Sequence, residues 1–201
     1  GDILNPAMDR PEVRERIDEV RREELARAAA IIGYDEVVLM GYRDSGMPDS
    51  EHNAHPENFA NAPLPEAVEK LVAIIRREQP QVIITYGDDQ RGYPHPDHLR
   101  VHDISLPAFE AAGDPTAYPD AGDPFEPQKL YYVVWSRARI QATHDKFVEL
   151  GIESPFGEDW FKRPSQDDQI TTSIDIADWY DVRLDSLLAH ETQVDPSSPF
   201  W

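Results

Sequence analysis

Apolar positions recur at helical spacing over residues 10–32, where Val13, Ile17, Val20, Ala28 and Ile31 stand among charged neighbours. This predicts a helix from Arg10 to Ile32 that stops at Gly33. The run Glu36-Val37-Val38-Leu39-Met40 reads as a strand, and residues 41–48 read as turn chemistry. A long polar loop from Asp49 to Asn61 leads to a helix over Leu64–Glu78, entered through Pro65. Gln81-Val82-Ile83-Ile84-Thr85 has the pattern of a strand buried on both faces. A loop rich in glycine and proline follows it, and then an amphipathic helix from about Asp97 to Ala112. After a connector over residues 113–128, Lys129–Trp135 reads as a strand and Arg137–Leu150 as a helix. Ser154–Asp168 reads as a polar loop, Gln169–Ile176 alternates like a half-exposed strand, and Ala177–Thr192 reads as the last helix. Strands alternating with helices predict a three-layer α/β domain with a largely parallel sheet.

Composition narrows the chemistry. The 201 residues suffice for one domain with a real core, and 40% hydrophobic content is that of a folded chain. The chain carries 19 basic residues against 39 acidic ones, a formal charge of -20. Such a surface repels phosphate backbones and anionic lipid, which argues against nucleic-acid and membrane partners. There is no cysteine, so disulfides, thiol catalysis and cysteine-ligated metals are excluded. A cytoplasmic setting fits. The start at Gly1 and the close on Phe200-Trp201 suggest ends cut from a longer chain.

The chemistry concentrates in Tyr93-Pro94-His95-Pro96-Asp97-His98, between the strand ending at Thr85 and the helix to Ala112. The carboxyl end of a strand is where open α/β sheets place their sites. Imidazole and carboxylate bind divalent metals such as zinc or ferrous iron and move protons near neutral pH. Asp97 also reads as a cap of the following helix. Capping and orienting a histidine are compatible roles. If that helix starts at Pro96 or Asp97, His98 and His102 share a face. His102 reads as a solvated or hydrogen-bonded helix histidine, and Asp88 and Asp89 as solvated loop acids. Asn53-Ala54-His55-Pro56-Glu57-Asn58 repeats the pairing of His, Pro and acid. It follows no strand and enters no apolar helix, so it reads as a plain loop.

The histidine segment after a strand resembles the second signature of the LmbE-like, PIG-L-type zinc de-N-acetylases. Ile3–Asp9, Arg43-Asp44-Ser45-Gly46-Met47, Lys129–Val133 and Ala189-His190-Glu191-Thr192-Gln193-Val194-Asp195-Pro196 are similar to segments of that family's mycothiol S-conjugate amidases. Its deacetylases of N-acetylglucosaminyl-inositol are near relatives of these. The resemblance implies one Rossmann-like domain over residues 1–201, without its first strand-helix unit and shortened at both ends. It implies zinc, with ferrous iron as a substitute, and a small thiol-sugar-inositol substrate. His98 matches a metal ligand. His95 matches the imidazole that stabilises the oxyanion or protonates the leaving amine, and Asp97 the carboxylate that orients it. Tyr93 matches a tyrosine that polarises the carbonyl. Arg21, or Arg22 in the neighbouring register, and Asp44 match groups that bind sugar and inositol hydroxyls. Asp44 before Ser-Gly is also ordinary turn chemistry.

The family's Ala-His-Pro-Asp-Asp-type signature, which supplies two metal ligands and the general base, is not within these residues. The 201 residues alone are therefore expected to bind metal weakly and to turn over little. Two other readings compete with a metal amidase or deacetylase. A metal-independent hydrolase using His95 and Asp97 lacks a nucleophile, since there is no cysteine and no Gly-x-Ser-x-Gly elbow. A non-catalytic sugar-binding domain is the other.

Overall fold

A computed structural model of the chain describes residues 3–88 and 94–198. The chain divides into two compact units. One comprises residues 1–39, 140–164 and 168–201, and the other residues 40–139 with 165–167.

The second unit carries the sheet. Strands β1 (Val82–Tyr86) and β2 (Lys129–Val133) pair in parallel, with Val82 opposite Lys129 and Tyr86 opposite Val133. The connection between them runs through a helix, the usual crossover for a parallel pair. Helix α3 (Leu64–Glu78) precedes β1, and α4 (Pro96–Ala112) follows it. Ala67, Val68, Val72 and Ile75 of α3 interlock with Ile104, Ala108 and Ala112 of α4 to form the core, against which Ile83 packs. Thr85 Oγ1 and Ser105 Oγ, 2.7 Å apart, tie β1 to α4 inside it. The other face of β1 presents Val82, Ile84 and Tyr86, which are 47%, 63% and 38% exposed. The apolar run predicts burial on both faces; among the described residues only the Ile83–Thr85 face is covered.

A buried arginine closes the far end of α4. Arg76 Nε donates to Ala112 O at 3.1 Å, and Nη2 donates to Ala111 O, Asp114 O and Ala117 O at 3.1, 2.8 and 2.9 Å. Its Nη1 donates to Tyr118 O and Gly122 O at 2.7 and 3.2 Å. A cation over the carboxyl-terminal carbonyls complements the helix dipole. The same guanidinium organises the connector that leads to β2.

The first unit is helical. The predicted first helix is two, α1 (Pro11–Glu15) and α2 (Ile17–Ile32), broken at Arg16 with φ -118° and ψ 26°. Gly33 ends α2 with φ 87°, a left-handed conformation suited to glycine. Helix α5 (Arg137–Glu149) starts in the second unit and continues into the first, followed by α6 (Glu158–Lys162) inside the predicted 154–168 loop. The last helix is shorter than its apolar pattern: a 3₁₀ turn, Ala177–Trp179, and then α7 (Tyr180–Leu188). Past Leu188 the chain turns away because buried Glu24 takes Thr192. Its carboxylate accepts from Thr192 N at 2.6 Å and from Thr192 Oγ1 at 2.7 Å.

Two predicted strands, residues 36–40 and 169–176, are not strands. A strand exists only by pairing, and among the described residues neither segment joins a ladder. Val37, Val38, Leu39, Ile174 and Ile176 are exposed. Among the described residues no helix is long and apolar enough to cross a membrane.

Candidate active site

The site is built where α4 begins. His95 is the N-cap, with φ -62° and ψ 130°, and its Nδ1 accepts from Asp97 N at 3.2 Å. Pro96 occupies the first turn, where its missing N–H costs nothing. The cap is thus His95 and not Asp97. The Asp97 carboxylate is left to reach elsewhere while its charge still favours the helix amino end.

It reaches Ser45. Ser45 Oγ donates to Asp97 Oδ1 at 2.5 Å, and Ser45 N donates to Asp97 Oδ2 at 3.1 Å. Ser45 is fully buried and also accepts from Ala60 N at 3.0 Å. The turn that presents it closes through Asp44 Oδ1, which accepts from Gly46 N at 2.9 Å, with Gly46 at φ 78°. The 49–61 loop is ordered around this turn. Asn53 Nδ2 donates to Ser45 O at 2.5 Å and to Met47 O at 3.1 Å, while Arg43 bridges Asn58. Arg100 of α4 donates to Ala60 O and so holds the loop from the other side.

The result is a cluster. Ligand atoms of Asp44, His95 and Asp97 all lie within 4.8 Å of one another. His95 is 9% exposed. His98 stacks on Tyr86 with ring centres 4.4 Å apart, and its ring centre is 5.2 Å from that of His95. Burial holds the His98 pKa below the usual imidazole value; the neighbouring His95 adds to this and Asp97 opposes it. One turn on, His102 Nδ1 lies 3.2 Å from Tyr86 O. His98 and His102 thus both meet Tyr86 at the end of β1, and the His102 ring also lies 5.4 Å from that of Tyr132 on β2.

Of the residues singled out in the sequence, Asp44, His95, Asp97 and His98 lie together in the second unit. Arg21 lies on α2 of the first unit, half-buried, whereas Arg22 is exposed. Asp88 is exposed. Tyr93 and Asp89 lie outside the described residues. Ser45 was missed: a serine in Asp-Ser-Gly signals a turn, and nothing local marks its partner 52 residues on. Its burial is the telling observation.

The donor chemistry suits a divalent cation. One imidazole with two carboxylates is a set that zinc or ferrous iron accepts. His98, whose pKa burial lowers, is a second imidazole beside it. His95 Nδ1 is already engaged by the helix cap, and both Asp97 oxygens are engaged by Ser45.

Residues 2–109 match the model of the PIG-L family, described as GlcNAc-PI de-N-acetylase. The chain belongs to the PIG-L family. Within it, the chain is 41% identical over its whole length to a mycothiol S-conjugate amidase of Streptomyces coelicolor, of which it spans 71%. It is 36% identical, over 96% of its length, to a 1D-myo-inositol 2-acetamido-2-deoxy-alpha-D-glucopyranoside deacetylase of Frankia alni, again spanning 71%. Two solved structures share the fold, each with a TM-score of 0.55. One is a conserved protein of Thermus thermophilus, 24% identical, and the other the N,N'-diacetylchitobiose deacetylase of Pyrococcus horikoshii, 16% identical. They match 87% and 90% of this chain, which spans 58% and 53% of theirs.

Proposed function

We propose that this PIG-L protein is a metal-dependent amide hydrolase that cleaves mycothiol S-conjugates into glucosaminyl-inositol and an acetylcysteine S-conjugate. The observation that carries the reading is the 41% identity to the Streptomyces coelicolor amidase over the whole chain. The placement of His95 and Asp97 at the head of α4 supports it.

In this reading His98 holds the metal, a zinc or ferrous ion, with further ligands from elsewhere in the protein. Bound there, such an ion would supply Lewis acidity and lower the pKa of a water toward about 7. His95 donates a hydrogen bond from Nε2–H to the substrate's carbonyl oxygen as negative charge develops there. A donor aimed at a developing oxyanion is commonly worth about 3 kcal/mol. Asp97 fixes the imidazole by fixing the first turn of α4. Tyr93 polarises the same carbonyl. Asp44 and Arg21 bind hydroxyls of the sugar and inositol.

The test is a paired assay of the intact protein for release of free amine. One substrate is a mycothiol S-conjugate and the other is N-acetylglucosaminyl-inositol. Faster turnover of the S-conjugate, abolished by a chelator and restored by zinc, is expected. Preference for the acetylated sugar makes the protein a deacetylase instead. Binding of either compound without hydrolysis makes it a sugar-binding domain.

A further inference from the structure

The Asp97 carboxylate has two possible partners, and the structure shows which one holds it. Its Oδ2 lies 4.0 Å from His95 Nδ1, too far for a hydrogen bond. Both of its oxygens are instead gripped by Ser45, through the hydroxyl at 2.5 Å and the backbone N–H at 3.1 Å. Meanwhile His95 Nδ1 accepts the Asp97 N–H. A ring nitrogen that accepts has no proton of its own, so the uncharged imidazole carries its proton on Nε2. If the carboxylate swung to Nδ1, that nitrogen would become the donor and Nε2 the acceptor. The two arrangements present opposite chemistry to a substrate.

We infer that Ser45 is a positioning residue for His95: by holding both oxygens of Asp97 it fixes the imidazole as the Nε2–H tautomer. Ser45 is built for this. It is fully buried, its hydroxyl is anchored by Ala60 N, and its carbonyl accepts from Asn53 Nδ2. The 43–61 segment thereby acts on His95 through a single side chain. The inference rests on the hydrolase reading for its kinetic consequence but not for its structural one.

The experiment compares the intact protein with its Ser45→Ala and Ser45→Cys variants. Cysteine fills the hydroxyl's space with a weak donor, so it carries the test if the alanine variant does not fold. Imidazole-nitrogen NMR reads the His95 tautomer, and steady-state kinetics read kcat and KM. The expected result is a change of His95 from Nε2–H to Nδ1–H. With it, kcat falls about ten- to a hundredfold while KM stays within about twofold. Asn61→Ala is the control. It removes donations to Asn53 O and His55 O at 2.7 and 2.9 Å, loosening the loop without touching Asp97. It lowers the melting temperature but moves neither the tautomer nor kcat. An unchanged His95 tautomer in a folded Ser45 variant overturns the inference, as does an Asn61→Ala variant that changes the tautomer equally. If the unaltered protein hydrolyses neither substrate, the function reading fails and the NMR result still decides this one.

Discussion

The second unit contains two runs of His, Pro and acid, and they make the same local bond. His55 Nδ1 accepts from Glu57 N at 3.3 Å, and His95 Nδ1 accepts from Asp97 N at 3.2 Å. Their surroundings differ. His55 follows the 3₁₀ turn Glu51–Ala54 and leads only to another, Phe59–Asn61. His95 heads the 17-residue helix α4, whose far end is fixed by Arg76. Glu57 is exposed, whereas both oxygens of Asp97 are held by a buried serine. A short motif thus sets a backbone turn. What makes it a candidate site is a rigid helix behind it and a partner from distant sequence in front.

That contrast can be broken at its supports. The largest effect is expected at Arg76, because Arg76→Met removes all six donations to the carbonyls at and beyond the end of α4. We expect a stability loss of about 3–5 kcal/mol, measured by urea unfolding. A loss under about 1 kcal/mol would show that α4 does not depend on this clamp. A smaller effect follows from Asp97→Asn. An amide accepts through one oxygen only, so one of the two Ser45 donors loses its partner. Amide hydrolysis should fall about ten- to a hundredfold in steady-state assays, with little change in melting temperature. If hydrolysis is unaffected, the two His-Pro runs differ in burial but not in function.

Much of this was legible in the sequence where neighbours along the chain decide the structure. Leu64–Glu78 is a helix with the predicted bounds, and β1 and α4 lie within one residue of expectation. The chain around Glu36–Met40 and Gln169–Ile176 failed because a strand needs a partner that periodicity does not name. The end of α7 was misjudged because Glu24 captures Thr192 from 168 residues away. The site divides in the same manner. His95, Asp97 and His98 stand close in sequence, and the family resemblance pointed to them and to Asp44. Ser45 and Arg76 were invisible, since a turn serine and a helix arginine become special only through burial and distant partners.

The central claim is that chemistry belongs to the His95 run and not to its local twin. The most direct measurement is amine release from a mycothiol S-conjugate by His95→Ala and His55→Ala variants of the intact protein, side by side. A loss of about 10²–10⁴-fold for His95→Ala, with His55→Ala within about twofold of the unaltered protein, is the predicted result. Equal losses in the two variants, or full activity without His95, would contradict it.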